Sequence, residues 1–353
     1  MSAKTEFFAP DYLPRFKCKM GACRSACCVG WPVSVSMKNY FTLLGLPCRK
    51  ELRDRLDVAL RLADHPTEEE YARFTPNWLG DCPMRMEDGR CSIQAELGED
   101  ALSDVCRLYP RGVRIWEGRY ECSASNSCER TLELLWDEKE PMRFGPCALS
   151  VVPPPSPGSP RSLEGMTPDE GFRFSLIRLM QDRSQKVEER ILSLRAPLGV
   201  PGEPHEEPAS AVGMLRYYAD RSDSIREKGT AIAARYGEDP AKWEEDAADF
   251  DRRIPAWERF AEQVLVNHMF FTQFPYLGVT RRETWASLAA AYALTRIYAV
   301  GGFALMRRDG GDPGQGELVD LTAEVFRLIG HTSFEKSVSA SLGGRYGILP
   351  LTL

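Results

Sequence analysis

The chain has 353 residues, 43% of them hydrophobic, and a formal net charge of −6, with a pI near 5.5 and a mean hydropathy of −0.34. That length holds one large or two medium domains. The acidic balance excludes the basic face of a nucleic-acid binder, no apolar run of 18 residues reads as a membrane span, and the opening MSAKTEFFAPDYLPRF lacks the basic-then-apolar order of a secretion signal. The expectation is a cytoplasmic protein without nucleic-acid or membrane partners.

In chain order, the first 150 residues are rich in turn formers, with short helices expected at 36–46, from the Ser36 cap, and at 50–63. In the second, Leu52, Leu56, Ala59, Leu60 and Ala63 share one face. Glu68–Glu69–Glu70 reads as a solvated helix start, and His65 as a loop residue. Val113 and Ile115 alternate with Arg114 and Trp116, and the turn Glu117–Gly118 leads into Arg119–Tyr120–Glu121, so a small hairpin is expected. VPPPSPGSP (152–160) reads as a stiff linker. Beyond it, Phe172, Leu176, Leu179, Met180, Val187, Ile191 and Leu194 keep helical spacing, with Thr167–Pro168 as cap and first-turn proline. A Pro/Gly/Glu loop follows at 198–209. Three apolar stripes then predict helices: Trp257 to His268, Trp285 to Tyr292 and Leu318 to Ile329. Gly301–Gly302 and the run 310–316 read as loops, and His268 and His331 as core histidines. The fold class expected is mainly α: a Cys-rich, metal-stabilised domain over 1–150 with a small β-hairpin, a Pro-rich linker over 151–165 and an α-helical domain over 166–353. A thin core of the first kind often needs a metal to compensate.

All eleven cysteines lie between Cys18 and Cys147. In a reducing compartment such clustering points to metal ligands or redox groups rather than disulfides. Cys18, Cys23, Cys27 and Cys28 form a C-x4-C-x3-C-C cluster in FKCKMGACRSACCVGW. Gly21 and Gly30 there let the backbone fold round the thiols, and thiolates select zinc or iron–sulfur units. Neighbouring side chains diverge, so Cys27 and Cys28 are expected to serve different metals or different irons. A second, wider set is Cys82, Cys91, Cys106 and Cys128, each beside a turn former, with Cys122 on the hairpin as a possible addition. Together these supply eight candidate ligands, enough for a four-thiolate cluster and a second site, or for two clusters. Cys48 and Cys147 stand apart and read as ordinary buried thiols. Vicinal cysteines, irregular spacing and no nearby histidine favour an iron–sulfur cluster, 4Fe–4S in type, over zinc, which stays open.

These residues resemble a known family. The phrases FKCKMGACRSACCVGW, CPMRMEDGRCSIQAELGEDALSDVCRLYPR and SCERTLELL are similar to those of flagellin lysine-N-methylases, members of a broader group named for a zinc- or iron-chelating CxxCxxCC domain. Weaker likeness continues through IRLMQDRSQKVEERIL, VNHMFFTQFPY and LIGHTSFEKSV. The resemblance implies methyl transfer from S-adenosylmethionine to flagellin lysine ε-amines and a cysteine-ligated iron–sulfur cluster. The family's metal cysteines would map onto Cys18, Cys23, Cys27, Cys28, Cys82, Cys91, Cys106 and Cys128. One departure stands out: Ser127–Cys128–Glu129–Arg130 lacks the proline relatives carry after the cysteine.

The sequence shows neither the glycine-rich turn of an ordinary nucleotide-cradling methyltransferase nor a radical C-x3-C-x2-C motif, since Cys23 and Cys27 are followed at the required position by Gly30. A lysine amine must lose its proton before it accepts a methyl group. Tyr109, three residues from Cys106, is the candidate to line that pocket, and Arg111 the candidate to grip the carboxylate of S-adenosylmethionine by a bidentate contact. Surface packing around the metal is an equal reading for both. The alternative function is a non-catalytic zinc- or iron-binding protein whose helical domain docks a protein partner.

Overall fold

The structure, a computed structural model, describes residues 4–24, 27–28, 33–78, 80–154, 157–201, 208–239, 241–342 and 347–352. Gly30, Pro155–Ser156 of the linker and 202–207 of the second loop lie outside them. The first part of the chain runs through β1 (Thr5–Pro10), β2 (Val33–Val35), α1 (Met37–Leu44), α2 (Lys50–Ala59), β3 (Leu60–Leu62), β4 (Ala72–Phe74), α3 (Ser92–Leu97), α4 (Asp104–Leu108), β5 (Arg111–Trp116), β6 (Arg119–Ala124), α5 (Glu129–Asp137) and β7 (Phe144–Leu149). The rest is mainly helical: α6 (Glu170–Met180), α7 (Val187–Ser193), α8 (Arg195–Leu198), β8 (Pro208–Ser210), α9 (Ala211–Ala219), α10 (Arg226–Glu238), α11 (Ala241–Arg253), α12 (Trp257–Thr272), α13 (Arg281–Arg308), α14 (Gln315–His331), α15 (Phe334–Ser341) and β9 (Gly347–Thr352).

Two compact units emerge, and they do not follow the boundary drawn at 151–165. One comprises 1–16, 113–150 and 156–353; the other comprises 17–112 and 151–155. The reason is sheet pairing between distant segments. β1 runs parallel to β6, with Phe8 opposite Glu121. It also pairs antiparallel with β7 along its whole length, from Thr5 opposite Leu149 to Pro10 opposite Phe144. The expected hairpin is present as β5 and β6, within a sheet of order β5-β6-β1-β7. Its turn residues Glu117 and Gly118 both have positive φ, 47° and 82°, the combination whose twist matches the flanking strands.

The helical unit is organised on α13, in which every residue from Thr284 to Phe303 is buried. By length and composition this helix would cross a membrane, contrary to the expectation of no such run, but 89% of its apolar window is buried inside the fold. Gly301 and Gly302 sit within α13 rather than in a loop. A Cβ on Gly301 would meet Ile232 Cγ2 at 2.4 Å, and one on Gly302 would meet Leu321 Cδ2 at 2.7 Å. Here glycine serves close helix approach at some cost in helix propensity. The helix after the linker starts two residues later than Thr167–Pro168 suggests, because the Asp169 carboxylate accepts the Phe172 N–H at 2.6 Å.

Buried charge in this unit is paired. Arg173 donates to both Glu121 oxygens at 2.8 and 2.9 Å and to the Phe270 carbonyl at 3.0 Å, with its guanidinium over Trp116. Buried Glu262 accepts from Arg190 at 2.7 Å and from Arg183 at 2.9 Å. His268, on α12, packs edge-on against Phe326, and burial pushes its imidazole down to about 4, so it is neutral at pH 7. His65 is exposed in a loop, as expected.

The smaller unit has a three-stranded antiparallel sheet of order β2-β4-β3. Its core gathers Val33, Val35, Leu52, Leu56, Phe74 and Ile93 among others. Ser36 caps α1 as read, accepting the Asn39 N–H at 3.3 Å. α2 ends at Ala59, and Leu60–Leu62 turn into strand to pair with β4. Glu68–Glu70 precede β4 rather than opening a helix: the Glu70 carboxylate accepts from Ser34 Oγ at 3.2 Å and Arg73 Nε at 2.8 Å.

Candidate metal centre

Three thiols of the smaller unit are held in turns of one kind. Cys18 Sγ accepts the N–H of Met20, two residues on, at 3.3 Å. The Cys82 thiol is likewise served by the backbone N–H groups of Met84 and Arg85, and that of Cys91 by those of Ile93 and Gln94. N–H groups aimed at sulfur favour the thiolate and orient it for a metal. This turn pattern escapes a reading of cysteine spacing alone; Gly21 after Cys18 and the short helix after Cys91 are its faint signal.

Two contacts bring the two cysteine stretches together. The Cys82 N–H donates to the Cys28 carbonyl at 2.7 Å. The chain at Gly21 lies against the tight turn Asp88–Gly89–Arg90, at distances where a Cβ has no room. That turn is closed by Gly89 N–H to Met86 O and Met86 N–H to Arg90 O, both 2.9 Å. Asn39, which the sequence did not mark, places Cys106. Its amide donates to Asp104 Oδ2 at 2.8 Å, and its oxygen accepts the first N–H of α4 at 2.5 Å.

Cys27 and Cys28 do not diverge, as expected from their adjacency, but lie Sγ to Sγ at 3.8 Å. Two sulfurs bonded at about 2.3 Å to one tetrahedral ion would stand about 3.8 Å apart, so this pair has ligand spacing. Electrostatics shows which other thiols share the neighbourhood. The Cys27 thiol and burial together push the Cys28 thiol far up, with Cys82 and Cys106 adding to it. Burial first, then Cys91 and Cys27 against a lowering by the backbone N–H groups, push Cys82 up to about 11. Cys106 is pushed up to about 12, chiefly by desolvation of its sulfur, although the residue as a whole is exposed, and then by Cys91, Cys82 and Cys27. Cys18, exposed as a residue, is raised by partial desolvation of its sulfur and by Cys27, and is partly relieved by the Met20 N–H and by the positive charge of Arg111. Thiols that raise one another in this way stay protonated unless a cation compensates, which is the chemistry of a soft-metal site. The donor type fits a thiolate-bound metal, and the Cys27–Cys28 pair fits in spacing. Among the described residues, however, no group of three Cys, His, Asp or Glu side chains is arranged to hold an ion.

Of the eight cysteines named as ligands, Cys18, Cys23, Cys27, Cys28, Cys82, Cys91 and Cys106 belong to this unit. Cys128 belongs to the helical unit, as N-cap residue of α5. There, with buried Cys122, it lies near Tyr12, whose phenol is held far above its ordinary value chiefly by burial. Tyr12 is tied into the buried network by Asn267 Oδ1 at 2.8 Å. Cys48 and Cys147 are only partly buried, against the reading of both as buried thiols; Arg53 Nη2 stands 3.6 Å from Cys48 Sγ. Tyr109 closes α4 and is half-buried. Arg111 is half-buried too, and its charge acts on Cys18.

The protein is thus of a composite class: a cysteine-rich unit with thiols in N–H-lined turns, joined in one chain to a mainly helical unit. Over about a third of its length the chain is similar to lysine-N-methylases, the group its cysteine phrases resemble. It is 28% identical over 136 residues to the lysine-N-methylase of Salmonella typhimurium, a stretch covering 38% of this chain and 33% of that protein. The lysine-N-methylase of Salmonella choleraesuis matches at 27% over 136 residues, with the same coverage of each chain. The flagellar biosynthetic protein FliU of Salmonella muenchen matches at 27% over 139 residues, 38% of this chain and 80% of that one. The match thus spans about a third of the two methylases' length. No family model matches the chain, and no solved structure matches it.

Proposed function

We propose that this chain is an S-adenosylmethionine-dependent protein-lysine N-methyltransferase acting on flagellin, and that its cysteine-rich unit holds a thiolate-ligated metal, an iron–sulfur cluster in preference to zinc. The observation that carries the reading is the similarity to proteins named lysine-N-methylase and FliU. The gathering of thiols around Cys27 and Cys28 supports the metal. Cys27, Cys28, Cys82, Cys91 and Cys106 would hold it, with Cys18 and Cys23 in the adjoining loop. When bound, such a cluster supplies a redox-capable centre and a cross-link between the two cysteine stretches.

The chain's own residues then have defined tasks. The acceptor lysine enters as an ammonium and must be deprotonated, which needs a poorly solvating pocket and a nearby base. Tyr109, three residues from Cys106, would line such a pocket. Arg111 offers a planar cation either to the S-adenosylmethionine carboxylate or, as its effect on Cys18 suggests, to the thiol site itself.

Co-expression with flagellin tests the function: methylated lysines are expected with the wild-type chain and none with Cys23→Ser/Cys27→Ser, whereas unmodified flagellin beside wild-type protein would overturn the reading. Anaerobic purification with iron and sulfide analysis tests the cluster. One observation favours the second reading, a metal-binding protein without catalysis whose helical unit docks a partner: among the described residues no strand leads through a glycine-rich turn into a helix. On that reading the protein binds metal but not S-adenosylmethionine, which titration calorimetry decides.

A further inference from the structure

Gly21 and Gly89 lie in different cysteine stretches, yet each occupies the space where the other's side chain would be. A Cβ on Gly21 would stand 2.5 Å from the Asp88 carbonyl oxygen and 2.8 Å from the Arg90 nitrogen; one on Gly89 would stand 2.5 Å from the Gly21 oxygen and 3.1 Å from its Cα. These are backbone atoms, which cannot swing aside as a flexible side chain does. Both glycines are therefore needed for one approach, and only Gly89, with φ of +82°, is needed for its conformation as well. The place of this contact matters. Gly21 lies between Cys18 and Cys23, and Gly89 lies two residues before Cys91, so the contact sits at the root of three thiol-bearing segments. The Cys82 N–H to Cys28 carbonyl bond is the second point at which the same two stretches meet. Two attachment points fix a loop's orientation where one would leave it free to pivot.

We infer that Gly21 and Gly89 form a backbone clasp that positions the thiols of the first cysteine stretch against those of the second. They are positioning residues for the thiol site, not ligands. The consequence for metal binding rests on the metal reading above, while the convergence of the thiols does not. Outer residues that orient metal ligands typically contribute about ten- to a hundredfold in affinity, and a clasp that sets the distance between two ligand stretches belongs in that range.

The test uses the full chain, with cobalt(II) as probe and a short bifunctional thiol reagent on the metal-free protein. Wild type is expected to show cobalt–thiolate absorption and a mapped cross-link between the 18–28 stretch and Cys82 or Cys91. In Gly21→Ala, cobalt affinity is expected to fall about ten- to a hundredfold and the cross-link to drop with it. Gly89→Asn, whose side chain tolerates positive φ, should do the same through the clash alone. Gly45→Ala is the control, because Gly45 lies in the same unit with φ of −87° and its Cβ position meets only ordinary contacts, Phe41 O at 3.5 Å and Thr42 O at 3.7 Å; it should keep both signals. Amide exchange in α2 reports whether the unit stays folded. Unchanged cross-linking in Gly21→Ala and Gly89→Asn overturns the clasp, as does loss of α2 protection in both, which would make the pair a general folding element. A wild type that cross-links but binds no cobalt, with the cross-link lost in the variants, leaves the clasp standing and removes the metal reading.

Discussion

The helical unit and the cysteine-rich unit solve the problem of burial in different ways. The first wraps helices round α13 and pairs its buried charges, as with Arg173 on Glu121 and Arg190 on Glu262. The second has short strands and helices, and among the described residues all nine exposed large hydrophobic ones fall within it: Met20, Met37, Phe41, Leu44, Val58, Leu62, Trp78, Val105 and Val152. Trp78, 90% exposed, is the extreme. A segment that leaves so much apolar surface outside has less burial free energy to offset chain entropy. Clustered thiols are the means by which such small folds gain a metal's contribution. The comparison teaches that one unit is held by packing, while the other leaves more of its large apolar side chains to solvent.

The largest effect that can break this contrast is metal removal. On the metal reading, chelation should open the segment 17–112 to proteolysis while α12–α14 stay protected, since metal binding there is folding free energy of up to about 10 kcal/mol. Equal resistance of both units before and after chelation would erase the distinction. Next in size is Arg173→Met, which leaves Glu121 charged and buried without its partner; a loss of about 3–5 kcal/mol is expected in denaturant unfolding of the helical unit, with the cysteine-rich unit unmoved. Gly301→Ala should cost about 1–3 kcal/mol. Its Cβ meets Ile232 Cγ2, and the intrinsic helix gain of about 1 kcal/mol only partly offsets the clash. Ile232→Ala in the same chain should restore part of the loss.

The smallest effect at neutral pH comes from His268. Burial lowers its folded value from 6.5 to about 4, so the unfolded chain binds the extra proton first. Its stability contribution is complete above pH 6.5 and is lost as pH falls from there toward about 4. His268→Gln should therefore flatten the acid limb of the helical unit's unfolding curve in that window and leave pH 7 nearly unchanged. An acid limb identical in the two proteins would show that the imidazole does not titrate with unfolding.

Much of the helical unit was legible because helical burial has a local period. The stripes from Trp257, Trp285 and Leu318 appear as α12, α13 and α14. The cysteine phrases were legible as a soft-donor set for a similar reason: four thiols within eleven residues need no partner from elsewhere to be noticed. Gly301–Gly302 were misread because a glycine pair breaks a helix in isolation but permits one against Ile232 and Leu321. α9, α10, α11 and α15 were not marked in the sequence, although the buried Ala211, Met214, Leu215, Tyr218 and Ala219 of α9 keep helical spacing.

By itself, then, the sequence determined that thiols would dominate the first third of the chain, that helices would dominate the remainder, and which residue types could meet a metal. The tertiary structure alone decided that β1 joins β6 and β7, that Cys122, Cys128 and Cys147 go with the helical unit, and that Cys27 and Cys28 turn their sulfurs toward one another at 3.8 Å. Spacing along a chain encodes which side chains share a face of one element. Which elements meet depends on strand register and backbone clearance between segments far apart in sequence, and Gly21 against Gly89 is one such clearance.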